Sequence, residues 1–239
     1  MSGSLLYEGK AKRIYSTNNP SIVLVQFKDS ATAFNGQKKE DIFGKGKLNN
    51  EITSLIFQML SEKQIPNHFV EKVSENEQLV KRVSIIPLEV VVRNVVAGSL
   101  STRIGLQEGT PIKETLVEYY YKNDELGDPL ITVDHIKLLN IANMEELSVI
   151  KNLALKINHI LVEFFNTLQI RLVDFKLEFG KDENGEIILA DEISPDTCRL
   201  WDINTNEKFD KDVFRRNLGS LTEAYNNILS RLKGENLYV

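Results

Sequence analysis

The chain has little with which to cross-link itself or to chelate a soft metal. It carries one cysteine, Cys198, so no internal disulfide can form, which suits a reducing compartment. Its three histidines, His68, His135 and His159, stand apart and show none of the spacing a zinc site needs. No stretch approaches the ~20 apolar residues of a membrane span. The most apolar run, residues 85–96, is interrupted by Pro87, Glu89, Arg93 and Asn94. Basic residues number 29 against 34 acidic ones, for a formal net charge of −5. Such a chain, without a long basic run, matches duplex DNA poorly, because duplex phosphates must be neutralised. Neither nucleic acid nor membrane is therefore an expected partner. Residues 1–6 are too few and too weakly apolar for a secretory signal, so the expected location is cytoplasmic. The two commonest nucleotide fingerprints, G-x-G-x-x-G and Walker A, are absent, as are internal repeats and Pro/Gly/Ser linkers.

What remains is an ordinary globular composition, 42% hydrophobic and 26% charged over 239 residues, enough for one large domain or two small ones. The first quarter reads as hairpins, with a turn at Asn18-Asn19-Pro20-Ser21 and a β-rich segment at 22–27. Ile52, Leu55, Ile56, Met59 and Leu60 share one face of an amphipathic helix. Strands are expected near 69–73, 78–83, 88–95 and 116–121. The clearest helix covers 145–168, where Leu147, Ile150, Ala154, Ile157, Leu161 and Phe165 recur at helical spacing. A hairpin follows at 170–179 and 186–193, then a final helix over 210–232 with Gly219 as a bend. Hairpins and late helices without regular βαβ alternation predict an α+β fold.

Four segments carry chemistry. In the late hairpin, Asn184-Gly185 is a strong two-residue turn signal, and with these as central residues Glu178 pairs with Asp191. Alternation then puts Asp174, Lys176 and Glu178 on one face and Val173, Phe175, Leu177 and Phe179 on the other. Carboxylates directly opposite one another repel, and a divalent cation would turn that liability into a site. A solvated face balanced by Lys176 is the alternative, and spacing does not choose between them. In the strand Glu89-Val90-Val91-Val92-Arg93, alternation places Glu89 and Arg93 on one face, with Gly98-Ser99 and Arg103 following. A guanidinium, a hydroxyl and Gly-rich amides would make a phosphate clamp, although on these residues alone an edge-strand ion pair between Glu89 and Arg93 is the slightly favoured reading. Gly9-Lys10-Ala11-Lys12 offers close backbone approach and two ammonium groups for a polyphosphate. Gly44-Lys45-Gly46-Lys47, ahead of a helix, reads as a plain loop more readily than as an anion site. The run from Asp191 through Ser194-Pro195-Asp196 to Arg199 and Trp201-Asp202 reads as an ordered site loop, with Cys198 as a packing residue.

In these segments the sequence resembles the SAICAR synthetase family. The matching stretches are Tyr7-Glu8-Gly9-Lys10-Ala11-Lys12, Ile86-Pro87-Leu88-Glu89 through Arg93 to Gly98-Ser99, Leu172-Val173-Asp174-Phe175-Lys176-Leu177-Glu178-Phe179-Gly180, and Asp191-Glu192-Ile193-Ser194-Pro195-Asp196 through Arg199-Leu200-Trp201-Asp202. They occur in the family's order and cover essentially the whole chain. The resemblance implies an α+β fold with an antiparallel ATP-binding lobe at 1–83 and a larger substrate- and metal-binding lobe at 84–239, related to kinase and ATP-grasp architectures. It implies a ligase that uses ATP and Mg²⁺ to join the carboxylate of carboxyaminoimidazole ribonucleotide to the amine of L-aspartate. It implies a homo-oligomer, commonly a dimer. By resemblance, Gly9, Lys10, Ala11, Lys12 and Lys81 belong to the nucleotide side, and Glu178 and Asp191 are the magnesium and nucleotide carboxylates. Arg93, Ser99 and Arg199 match the groups that hold the ribonucleotide phosphate, and Arg215 falls on the same substrate side. Glu89, Asp174, Lys176 and Asp196 match positions around the reacting carboxylate and ribose, with Lys176 and Asp196 the catalytic candidates. The match is loose at 29–36, where Asn35 replaces an aspartate of some relatives, and at 131–135. A small-molecule kinase and a non-catalytic nucleotide sensor are the competing readings.

Overall fold

The computed structural model describes residues 3–33 and 36–234. Asn35, one of the positions where the resemblance loosens, lies outside them. Three short strands open the chain, β1 (Leu5–Glu8), β2 (Lys12–Ser16) and β3 (Ile22–Phe27). A separate hairpin follows, β4 (Ser30–Ala33) with β5 (Lys38–Asp41), then α1 (Lys45–Glu62), β6 (Phe69–Lys72) and β7 (Glu77–Lys81). The first sheet has the order β1-β2-β3-β7-β6 and is antiparallel throughout. Val23, Val25, Phe27 and Val80 form its small buried face, as expected of alternating strands rich in β-branched residues.

The second sheet begins at β8 (Ser84–Val95), followed by α2 (Ser99–Ile104), β9 (Pro111–Tyr121), β10 (Leu130–Ile131), α3 (Val133–Leu138) and α4 (Met144–Thr167). The chain ends with β11 (Ile170–Lys181), β12 (Ile187–Ala190), β13 (Cys198–Asp202), α5 (Asp212–Arg215) and α6 (Leu221–Leu232). The order is β10-β9-β8-β11-β12, with β13 pairing the first half of β11. β8 and β11 are therefore interior strands. Ile86, Leu88, Val90 and Val92 of β8 turn into the core, while Glu89, Val91 and Arg93 face a cleft. Pro87 is tolerated in an interior strand because the β8–β11 ladder shifts register beside it, between the pairs Glu178–Glu89 and Gly180–Ile85.

One apolar core serves both halves of the chain. Ile52, Ile56, Phe57 and Leu60 of α1 pack in the same cluster as Val90 and Val92 of β8 and Ile150, Ile157 and Leu161 of α4. Helix α4 starts in a capping box, in which the Asn143 side chain accepts from Glu146 N–H and Glu146 accepts from Asn143 N–H. Each of its fully buried Ile and Leu side chains contributes about 1.5–3 kcal/mol. Three sequence expectations are corrected. Val173 does not join Phe175, Leu177 and Phe179 in the main core; a bulge between Leu172 and Asp174 turns it into a small cluster with Val95, Ala97 and Trp201. The expected helix over 210–232 is two helices, broken where Gly219 takes φ 145°. The run 198–202 is a strand, not a loop.

Candidate active site

β11 carries the middle of the site on its cleft face. Lys176 reaches three carboxylates, with Nζ 2.6 Å from Glu178, 3.0 Å from Glu89 and 3.6 Å from Asp191. Glu178 also accepts from Lys122 Nζ at 2.7 Å. Asp191 pairs with Lys12, whose ammonium lies 2.9 Å from Glu192 as well. Burial alone would push these lysines towards neutrality. The carboxylates around them prevail, so Lys12 and Lys176 are both raised above the ordinary lysine range. Burial would likewise raise Asp191, but Lys12 and Lys176 hold it well below the usual carboxylate range. The result is an ionised cluster of alternating sign.

The expected hairpin register does not occur. Asp182 Oδ1 accepts from the backbone N–H groups of Asn184 and Glu186 at 2.9 Å each, which draws Glu183 into the turn. The loop thus has three residues with Gly185 left-handed at φ 81°, and Glu178 pairs with Ala190 instead of Asp191. Asp191 lies just past β12 with φ 61°. That turn brings its carboxylate back towards Lys176, so a lysine, rather than direct cross-strand repulsion, relates Glu178 to Asp191.

The other end of the cleft is built from arginines. Arg93 is only 3% exposed and binds Asp174 at 2.6 Å and Glu118 at 2.7 Å, with Tyr120 Oη at 3.1 Å and Ser99 Oγ at 3.4 Å. The simple ion pair between Glu89 and Arg93 is absent, since β8 is interior and each residue has a different partner. Arg199 donates to both Asp174 oxygens, at 3.0 and 2.9 Å, and to Asp212 at 3.1 Å. Arg215 shares Asp212 at 2.7 Å. Gly98 is required beside Arg199: its φ is 53°, and an added Cβ would lie 2.3 Å from Nη2. Arg93, Ser99, Asp174, Lys176, Arg199 and Arg215 all border one cavity of about 220 Å³. Glu89 and Asp196 border it too.

The remaining sequence candidates divide. In the β1–β2 turn, Gly9 N–H donates to Lys12 C=O at 2.9 Å and Ala11 C=O accepts from Lys28 N–H at 2.8 Å. That turn sends Lys12 to Asp191 and Glu192 and leaves Lys10 exposed, 2.7 Å from Asp124. Lys81 closes β7 with its N–H on His68 C=O at 2.7 Å, and its ammonium has no ion-pair partner among the described residues. His68 is buried, and burial, reinforced by Lys12, pushes its imidazole down to about 4. Burial pushes the Cys198 thiol up, in keeping with a packing role. In segment 131–135, Thr132 and His135 form the capping box of α3. The Gly44–Lys47 segment is not a plain loop. Lys45 begins α1, is buried, and ends 2.6 Å from Asp196. Lys122, Glu118 and Tyr225 escape sequence reasoning, since each lies far in sequence from the partner that gives it meaning.

A lysine–carboxylate cluster that spans the two sheets and an arginine–hydroxyl cluster beside it suit an α+β enzyme that handles phosphorylated ligands. The SAICAR synthetase family model matches residues 5–232, and the chain belongs to that family. A phosphoribosylaminoimidazole-succinocarboxamide synthase of Bacillus cereus (strain G9842) is 67% identical over 230 residues, 96% of each chain. The solved structure of the same-named enzyme from Ehrlichia chaffeensis superposes with a TM-score of 0.94 at 51% identity, over 96% of this chain and 98% of that one. A SAICAR synthetase in complex with ADP superposes with a TM-score of 0.93 at 50% identity, over 98% and 99%.

Proposed function

We propose that this chain is a phosphoribosylaminoimidazole-succinocarboxamide synthase, which joins the carboxylate of carboxyaminoimidazole ribonucleotide to the amine of L-aspartate while ATP becomes ADP and phosphate. The observation that carries this reading is the arginine-lined cavity joined, through Lys176 at its border, to the ionised cluster of Glu178, Asp191 and Lys12. The nucleotide phosphates lie at the end formed by the 9–12 turn, Lys81, Glu178 and Asp191. The ribonucleotide phosphate lies against Arg93, Ser99 and Arg199, with Arg215 beside it. Glu89, Asp174, Lys176 and Asp196 then surround the reacting carboxylate and ribose. Residues 1–83 supply most of the nucleotide end and 84–239 the substrate end and the acidic pair.

Magnesium fits the residues present. Glu178 and Asp191 are hard oxygen donors, and a fifth of the Asp191 side chain is open to solvent. No group of three or more His, Cys, Asp or Glu side chains stands ready for a metal among the described residues. A cation here would complete its shell with phosphate oxygens and water, the habit of Mg²⁺. Bound there, it would offset charge on the transferring phosphoryl group.

A carboxylate is a poor electrophile, and this cleft is suited to converting it into a better one. Lys12 and Lys176, kept charged by their carboxylates, stabilise the phosphoryl group as its bond to ADP breaks and its bond to the substrate carboxylate forms. The aspartate amine then attacks the activated carbon, the C–O bond breaks, and phosphate leaves. The arginine end anchors the ribonucleotide throughout, so the reacting carbon is held in place. No described helix is long and apolar enough to cross a membrane, and we place the enzyme in the cytoplasm as a homodimer. The test is ADP release with ATP, Mg²⁺, ribonucleotide and L-aspartate omitted one at a time. Turnover with all four and in no other mixture is expected. ADP release without aspartate would favour a kinase, and ATP binding without turnover a sensor.

A further inference from the structure

The Asp196 carboxylate is gripped on both oxygens. Lys45 Nζ lies 2.6 Å from Oδ2, and Tyr225 Oη donates to Oδ1 at 2.6 Å. The side chains of Lys45 and Asp196 are 1% and 4% exposed, and Tyr225 is fully buried. A buried ion pair of this kind is a poor device for stability, because removing two charges from water offsets most of their attraction. Its position says more than its energy: Asp196 borders the cavity that Arg199 and Arg215 also border.

The delivery of Lys45 is specific. Gly44 has φ 84° and offers no side-chain cap to α1. Instead Asp29 accepts from Gly44 N–H at 3.2 Å and Gly46 N–H at 2.9 Å, fixing the first turn of the helix from outside it. Gly46 lets that turn approach the end of β3, since an added Cβ would sit 2.7 Å from Phe27 C=O. Lys45, between the two glycines, is thus aimed across the core at the substrate side. On the opposite side, Tyr225 comes from α6.

We propose that Lys45 and Tyr225 are positioning residues for the ligation, fixing the Asp196 carboxylate at the cavity wall as a hydrogen-bond acceptor for the bound ribonucleotide or amine. This rests on the reading of the cavity as the substrate end. Four more charged groups surround the triad: Lys211 with Nζ 3.8 Å from Asp196, and Arg215, Glu192 and Asp210 beyond it. Burial would raise the Asp196 carboxyl, and Lys45, Lys211 and the Tyr225 hydroxyl together hold it well below the usual range. Burial and the Asp196 charge in turn keep Tyr225 protonated, so it can only donate.

The test compares Lys45→Met, Lys45→Arg, Tyr225→Phe and Asp196→Asn in the full chain, using kcat and KM for the ribonucleotide between pH 5.5 and 8.5. The Mg·ADP-induced rise in melting temperature serves as the control for the nucleotide end. Loss of the Tyr225 hydroxyl leaves Asp196 ionised beside Lys45 and Lys211 but no longer fixed on Oδ1, so KM for the ribonucleotide is expected to rise about tenfold in Tyr225→Phe across the whole pH range. Lys45→Met is expected to lose about 10–100-fold at neutral pH and regain part of it in base, with Lys45→Arg partly restoring activity. Asp196→Asn is expected to be poor at every pH, and all four are expected to keep the Mg·ADP response. A merely structural role would lower melting temperature and leave the pH profile unmoved. A poor Asp196→Asn beside a wild-type KM for the ribonucleotide in Tyr225→Phe overturns the proposal, and Tyr225→Phe decides it alone if Lys45→Met does not fold. A fully active Asp196→Asn would overturn the underlying site reading instead.

Discussion

Replacing Lys176 with Met removes the one cation placed among Glu89, Glu178 and Asp191, and its effect can be worked from the distances. Three contacts at 2.6, 3.0 and 3.6 Å give a gross attraction of several kcal/mol each at an effective dielectric near ~20. Desolvation of the ions offsets much of it, and breaking a buried pair usually costs about 3–5 kcal/mol. A quarter of the Lys176 side chain is open to solvent, which places the net loss near the lower end, at about 3 kcal/mol. For a chain of this size that corresponds to a fall in Tm of about 6–12 °C. The three carboxylates would be left with Lys12 and Lys122, so Mg·ADP is expected to raise Tm more in the variant than in the wild type. The kcat is expected to fall on the order of 10²–10³-fold, the scale of one lost preorganised electrostatic contact. Scanning calorimetry with and without Mg·ADP, beside steady-state kinetics, makes the measurement. A variant that melts within about 2 °C of the wild type, with an equal Mg·ADP response and near-normal kcat, refutes the reasoning.

Gly98→Ala places a methyl group where Arg199 lies and strains a backbone at φ 53°; KM for the ribonucleotide is expected to rise about tenfold or more while ADP affinity by calorimetry is unchanged. Asp191→Asn deprives Lys12 and Lys176 of a partner, so the metal-free protein is expected to lose about 1–3 kcal/mol; a rise in melting temperature would show that repulsion dominates at this carboxylate. His68 is held at about 4 against an ordinary 6.5, so between those values the unfolded chain binds more protons than the folded one. Stability from this group is complete above pH 6.5 and falls as pH drops towards 4, by on the order of 3 kcal/mol in all. Urea-unfolding midpoints for the wild type and His68→Phe check it, with the flatter acid slope expected in the variant.

Elements governed by local patterns were legible in the sequence. The α4 stripe from Leu147 to Phe165 appears at the expected spacing, because one buried face against a sheet demands it. The face of β11 shared by Asp174, Lys176 and Glu178 follows from strand alternation, as does the shared face of Glu89 and Arg93. The errors arose where a side chain or a distant segment decided the outcome. Asp182 captured two backbone amides and lengthened the Asn184-Gly185 turn, which shifted the pairing by one residue. Lys45 looked like loop because its partner is 151 residues away. The arginine end was visible as isolated charges, but nothing local shows that Asp174 holds Arg93 and Arg199 together.

The central claim is that this cleft activates a carboxylate by phosphoryl transfer and then lets an amine displace phosphate. Carboxyaminoimidazole ribonucleotide labelled with ¹⁸O in its carboxylate tests it directly, with the released phosphate analysed by mass spectrometry after turnover with ATP, Mg²⁺ and L-aspartate. Transfer of one labelled oxygen to phosphate per amide formed is the predicted result, with the other retained in the amide carbonyl. Unlabelled phosphate alongside normal amide formation would contradict the account.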